Sequence, residues 1–380
     1  MRKETKAIHT PFQKRDAYGS LSFPVYNTAA YEFDTAHDMT EAFSGRVQEP
    51  DYSRVMNPTV THFENRVKAL SGAENVFAMN TGMAAILNTF MVFAESGKTI
   101  VTSNHLFGNT FALITKTLAR FGVKAQVADL TDTDTLDKII ADDACLIFAE
   151  YITNPQLELV DIKKLSEVAH KHGLPLIVDT TAVPFTDIDA RELGIDVEVL
   201  SSTKYISGGA TSLGGLILDF GTFKEVNQRI RFEFLFNLGT YMTPQVAYMQ
   251  TLGLETLNVR YQKQAQNALD LAKALQQLPQ VKRVNYPGLS LDKPFGAMLT
   301  IDLESEQKCF DFLNSLRLIR RATNLFDNKS LAIHPYSTIF VGFTPEEKKQ
   351  MDIFDTTIRL SMGLEDVNDL FEDIKQALDK

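Results

Sequence analysis

From about residue 62 to 220 the chain alternates short, mostly apolar runs with stretches of helical period, and no other feature constrains its fold as much. The predicted strands are 76–79, 99–102, 125–127, 146–149, 176–179 and 197–200. Between them, residues 161–172 place Ile162, Leu165, Val168 and Ala169 on one helical face. A strand that is apolar along its whole length is buried on both faces. The pattern therefore predicts an α/β fold, with a mostly parallel sheet covered by helices on both sides. Such sheets gather ligands at the carboxyl ends of their strands. Asp179 and Lys204 both lie just beyond such ends.

At 380 residues the chain is long enough for two or three domains. Residues 1–60 lack steady periodicity and carry turn formers such as Tyr18-Gly19-Ser20 and Asn57-Pro58. They read as an extended arm with a helical patch from Ala36 to Ser44. Residues 61–240 form the large α/β domain. Residues 241–380 read as a smaller α+β domain, with a long amphipathic helix over about 257–278, strands at 297–302 and 357–361, and a final helix over 367–378. A net charge of -10 with no basic face argues against a nucleic-acid partner. The apolar runs are too short for a membrane span, and no apolar stretch follows the basic residues at the N-terminus as a secretory signal requires. Cys145 and Cys309, the only cysteines, sit among apolar neighbours as buried thiols rather than as a disulfide or metal site. The expected compartment is the reducing cytoplasm.

Lys204 stands in Ser201-Ser202-Thr203-Lys204-Tyr205-Ile206-Ser207-Gly208-Gly209, after an apolar strand and among hydroxyls and glycines. An amine so placed is poorly solvated, loses its proton readily and can form a Schiff base with an aldehyde. Read alone it is a surface lysine at a strand-to-loop junction, but the neighbouring segments supply what a bound pyridoxal phosphate needs. Asn80-Thr81-Gly82-Met83-Ala84 opens a helix whose free amides and dipole favour a phosphate, or it is a simple cap. Ser201 and Thr203 can add hydroxyl contacts, and Arg54 a charge. Asp179 caps a helix, binds a metal, or keeps a pyridine nitrogen protonated. No His, Cys or acidic cluster stands at ligand spacing. A carboxylate beside that nitrogen is worth about 4 kcal/mol at an effective dielectric near 20, roughly three units of pKa. The protonated ring is then the electron sink. Phe107 is core or stacks on a ring, and Asn154 forms a turn or donates to a ring hydroxyl. Arg359 on its strand is a surface charge or a bidentate carboxylate ligand. The Gly-x-Gly-x-x-Gly turn of a nucleotide-binding oxidoreductase is absent after the first strand.

Taken together, the chain resembles the Cys/Met-metabolism pyridoxal-phosphate enzymes, the cystathionine γ-synthase-like group of fold-type I. The markers are Tyr52-Ser53-Arg54-Val55-Met56-Asn57-Pro58-Thr59, Thr81-Gly82-Met83-Ala84-Ala85, Asp179-Thr180-Thr181, the segment around Lys204, and Arg359-Leu360-Ser361-Met362-Gly363-Leu364-Glu365. The resemblance implies a seven-stranded PLP-transferase domain and a pyridoxal 5'-phosphate cofactor. It implies that Lys204 links to the cofactor, that Asp179 pairs with the pyridine nitrogen supported by Thr181, and that Asn154 meets the ring hydroxyl while Phe107 stacks. Gly82, Met83, Ser201 and Thr203 would hold the phosphate, with Tyr52 and Arg54 reaching in from a second subunit of a homodimer or homotetramer. Arg359 and Asn324 would bind the carboxylate of a small amino-acid substrate.

Within the family, residues 324–335 look most like the O-acylhomoserine sulfhydrylases. Their implied reaction is γ-replacement on O-acetyl- or O-succinylhomoserine with sulfide or a small thiol, in methionine biosynthesis. The alternatives are a methionine or cystathionine γ-lyase that releases 2-oxobutyrate and ammonia, and a non-catalytic homologue. Three positions depart from the family pattern: Phe107 replaces the usual stacking tyrosine, Phe326 a common glycine, and Phe340 a frequent histidine. Loss of the phenol disfavours a thiolate leaving group more than an acyl ester, because a carboxylate leaves without full protonation.

Overall fold

The computed structural model describes residues 1–10 and 18–380. Seven strands form the larger sheet: β1 (Asn75–Met79), β2 (Thr99–Thr102), β3 (Lys124–Val127), β4 (Ala144–Glu150), β5 (Leu176–Asp179), β6 (Val197–Leu200) and β7 (Gly215–Asp219). Their order is β1-β7-β6-β5-β4-β2-β3. The neighbours from β6 through β3 pair in parallel, and β7 is antiparallel to both β6 and β1. Two reversals cancel, so β1 points the same way as β2–β6. The carboxyl ends of six strands therefore share one edge, and that edge builds the site.

β7 is the strand that periodicity missed. Its core, Leu216-Ile217-Leu218, lies downstream of a run of glycines and small polar residues that reads as loop. The glycines serve the fold: a Cβ at Gly215 would lie 2.1 Å from the Thr81 carbonyl oxygen. Only glycine lets β7 pass that close to the turn after β1. Strand alternation divides the core into two layers. Leu176 and Val178 pack on one face of the sheet, while Ile177, Val197 and Val199 pack on the other.

A second sheet has the order β10-β11-β12-β9-β8, from β8 (Arg283–Asn285), β9 (Met298–Asp302), β10 (Arg320–Arg321), β11 (Leu331–Ile333) and β12 (Thr357–Ser361). Three of these, β8, β10 and β11, are two or three residues long, too short for a period to show in the sequence. The helix Leu257–Leu275 covers this sheet with Ala268, Leu271, Ala272 and Leu275, against Leu299 and Ile301 of β9 and Ile358 and Leu360 of β12. It ends three residues before the expected limit. Because Ile358 and Leu360 face that cluster, Arg359 between them points the other way, toward the larger sheet. In the N-terminal segment the helical patch is Ala36–Phe43, and Lys3–His9 is helical as well.

Replacing Gly215 by alanine sets a methyl group against backbone that cannot rotate away. We expect Gly215→Ala to cost about 1–3 kcal/mol, read as a lower denaturant midpoint with an unchanged slope.

Candidate active site

Thr81, the last residue before the helix Gly82–Phe93, accepts a hydrogen bond from Ala84 N at 3.0 Å and fixes that helix's start. The first-turn amides of Gly82 and Met83 then have no intrahelical acceptor. Gly82 must be glycine, since a Cβ there would come within 2.7 Å of Ser201 Cβ. The helix mouth and the loop after β6 are thus in contact. Ser201 N donates to Thr181 Oγ1 at 2.8 Å, and Thr181 N donates to Asp179 Oδ1 at 2.8 Å. Thr203 Oγ1 is exchanged with the backbone of Gly214, accepting from its N–H at 2.9 Å and donating to its carbonyl at 3.2 Å.

These residues line a cavity of about 430 Å³, together with Phe107, Glu150, Asn154, Lys204, Asn324 and Arg359. The cavity joins eleven of the thirteen residues expected from the sequence. Tyr52 and Arg54 stand apart. Tyr52 is 44% exposed, and the Arg54 guanidinium donates to the carbonyl of Phe236. Sequence reasoning passed over Glu150, Thr323, Leu213 and Ile339, which also line the wall. Glu150 carried a readable signal: it closes an apolar strand as Asp179 does.

Lys204 Nζ donates to Asn324 Oδ1 at 2.7 Å. Burial, with the Arg359 charge adding to it, pushes the lysine down to about 8. Arg359 donates from Nη1 to Asn154 Oδ1 at 2.9 Å and from Nη2 to the Asn324 carbonyl at 3.4 Å, while its Nε is buried without a partner. Burial lowers the arginine to about 10. An anion entering the cavity would satisfy both the free N–H and the uncompensated charge.

Asp179 has the opposite need. It accepts from Thr181, yet among the described residues no cation pairs with it, and burial raises its carboxyl above the ordinary value. Glu150 lies directly across from it on β4 and is raised well above its usual range, by burial first and then by the charge of Asp179. Glu198, on the other face of the sheet and bonded by the Thr180 hydroxyl, is pushed up to about 7 by burial. A carboxylate in a cavity wall with no cation suits a protonated ring nitrogen. Unpaired helix-mouth amides at the far end suit a phosphate. The donor set therefore fits pyridoxal 5'-phosphate.

The family model for Cys/Met metabolism PLP-dependent enzymes matches residues 4–379. The chain belongs to that family. It is 34% identical over 388 residues to the L-methionine gamma-lyase of Pseudomonas putida, covering 98% of this chain and 96% of that protein. It is 35% identical over 378 residues to the O-succinylhomoserine sulfhydrylase of Pseudomonas aeruginosa, covering 96% and 93%. A crystal structure from Campylobacter jejuni, provisionally assigned as an O-acetylhomoserine (thiol)-lyase and carrying N'-pyridoxyl-lysine-5'-monophosphate, superposes with a TM-score of 0.95. It is 32% identical and matched over all of both chains. The protein is a PLP-dependent enzyme whose relatives include O-acylhomoserine sulfhydrylases and methionine γ-lyases.

The remaining family departures have structural consequences. Phe326 holds φ at +55°, a left-handed conformation that costs a non-glycine residue about 1–2 kcal/mol. Against that cost, its ring stacks on Tyr205 at 4.0 Å and its N–H donates to Ser361 Oγ at 2.7 Å. Phe340 fills an apolar cluster with Met351 and Ile353, and its neighbour Ile339 is what reaches the cavity.

A lysine lowered to about 8 is mostly neutral above that pH, two units or more before an exposed lysine would be. We expect the apoenzyme's rate of borohydride-trappable PLP capture to rise through about pH 8 and level off beyond it. A rate still climbing toward the ordinary lysine value would contradict that environment.

Proposed function

We propose that this enzyme catalyses γ-replacement on O-acetyl- or O-succinylhomoserine, with sulfide or a small thiol as the incoming group and homocysteine or methionine as product. The observation that carries this reading is Phe107. The ring at the stacking position is a phenyl, and among the described residues no Tyr, His or Cys lines the cavity. A thiolate leaving from Cγ gains from a proton donor, whereas an acyl group leaves as a stable carboxylate. The non-catalytic reading loses support because lysine, aspartate and arginine are all present and converge on one cavity.

When bound, pyridoxal phosphate supplies an electron sink that acidifies the hydrogens on Cα and Cβ of the substrate. Asp179 would hold the proton on the ring nitrogen, with Thr181 steadying Asp179, and Phe107 would stack on the ring. Asn154 has its Oδ1 engaged by Arg359, which leaves its amide N–H₂ to meet the ring hydroxyl. Gly82, Met83, Ser201 and Thr203 receive the phosphate. Arg359 and Asn324 bind the substrate carboxylate, and this withdraws Asn324 from Lys204. Lys204 Nζ would anchor the cofactor and, when free, would take the proton from Cα and carry protons between carbons. The net change is a Cγ–O bond broken, with the acyl group leaving as carboxylate, and a Cγ–S bond formed to the incoming sulfide or thiolate.

Arg359 and Lys204 are both committed within the chain, so the phosphate end of the cavity is left with neutral donors alone. That supports a cation from outside. We infer a homodimer or homotetramer in which Tyr52 and Arg54 of one copy complete the phosphate site of another. Exposed Phe43, Val47, Tyr52, Phe232, Phe236 and Leu238 support such a contact. The division at residues 60 and 240 into arm, cofactor domain and C-terminal domain belongs to the same reading. The unpaired, apolar-flanked thiols of Cys145 and Cys309 suit the cytoplasm. Among the described residues no helix is long and apolar enough to cross a membrane.

Methionine γ-lyase activity is the second reading, favoured by 34% identity to such enzymes over nearly the whole chain. Assays with O-acetylhomoserine, O-succinylhomoserine, cystathionine and methionine, each with and without sulfide, separate the two. We expect sulfide-dependent homocysteine from an ester substrate. Rapid 2-oxobutyrate release from methionine without sulfide would transfer the assignment to the lyase. Phe107→Tyr should raise elimination from thioethers relative to ester substrates. Lys204→Ala should lower kcat at least about a thousandfold while the fold is kept.

A further inference from the structure

Glu150 is a buried carboxylate with no cation beside it among the described residues, placed opposite another carboxylate, and no step above uses it. Such a group is costly to fold around. Its two oxygens are not idle: Oε1 accepts from Phe107 N at 2.6 Å and Oε2 accepts from Asn154 N at 3.1 Å. Phe107 follows β2 and Asn154 follows β4, two strands that pair directly, and this one side chain binds a backbone amide from each of the loops that leave them. These are also the loops assigned to the cofactor ring, one to its face and the other to its hydroxyl. Asn154 carries the tie onward to Arg359 through its Oδ1.

We infer that Glu150 is a positioning residue for the cofactor ring, holding the Phe107 and Asn154 backbones at a fixed separation so that stacking and the ring-hydroxyl contact form together. This rests on Phe107 and Asn154 being the ring contacts. A carboxyl side chain is suited to the task because it offers one acceptor oxygen to each amide. Glutamine keeps the shape but turns an N–H₂ toward one of the two N–H groups and loses that bond. Leucine loses both.

Charge alone would act in the other direction. With one carboxylate fewer across the strand, Asp179 ionises more readily and grips a cationic ring more tightly. The sign of the change in cofactor affinity therefore separates positioning from electrostatics.

The experiment measures the PLP dissociation constant and the visible circular dichroism of the bound cofactor, which reports how the ring is held. It uses wild type, E150Q, E150L, F107A, N154A, and E150L in the F107A/N154A background. We expect PLP to bind about tenfold more weakly to E150Q and about a hundredfold more weakly to E150L, with reduced dichroism per bound cofactor. In the F107A/N154A background the further effect of E150L should shrink to about twofold, since Glu150 acts through those residues. Unchanged or tighter binding with unchanged dichroism in E150Q and E150L overturns the inference while leaving the ring contacts intact. If F107A and N154A themselves leave affinity and dichroism unchanged, the ring-contact assignment falls, and the inference with it. Should E150L fail to fold, the isosteric E150Q decides alone.

Discussion

Asp179 sits in a cavity wall with one neutral donor, no cation among the described residues and a second carboxylate opposite. That is an unstable electrostatic arrangement for a finished protein and a sound one for half of a complex. A buried anion is stable only when paired, so the chain is complemented by a cationic group that it does not itself contain. The rest of the site follows from this demand. The ring that brings the cation must be stacked, its hydroxyl met and its phosphate received. The neighbouring strand ends bring the candidate groups for those contacts into one cavity because six strands finish on one edge of the sheet.

The same cavity holds two positive groups, and their nearness sets the chemistry of the amine. Lys204 is pressed toward its neutral form by burial and by Arg359, while Asn324 holds both, bonding the lysine through its side chain and the arginine through its carbonyl. A substrate carboxylate arriving at Arg359 would disturb all three at once. On the proposed reading, binding of the amino acid and liberation of the base would be coupled through these hydrogen bonds.

Much of this architecture is legible in the order of the residues. The alternation of apolar runs and helices indicates the sheet, and the strand ends point to Asp179 and Lys204. Resemblance supplies Thr181, Met83 and Asn324, whose roles no periodicity could suggest. β7 escapes because it opens on Gly215, required by close packing on Thr81, at the end of a glycine-containing run that looks like loop. The small strands β8, β10 and β11 escape because two or three residues carry no period. Glu150 is visible as a residue but mute as a function, since its partners are backbone amides, one four residues onward and one in the loop after the neighbouring strand β2.

The layered fold and the family were legible at the level of the amino-acid order, because periodicity and motif spacing are local properties of the chain. Tertiary packing decided which charges stand uncompensated, which hydroxyl is already engaged, and that Tyr52 and Arg54 lie away from the cavity of their own chain. Those are questions of distance between residues far apart along the backbone, and only the folded arrangement answers them.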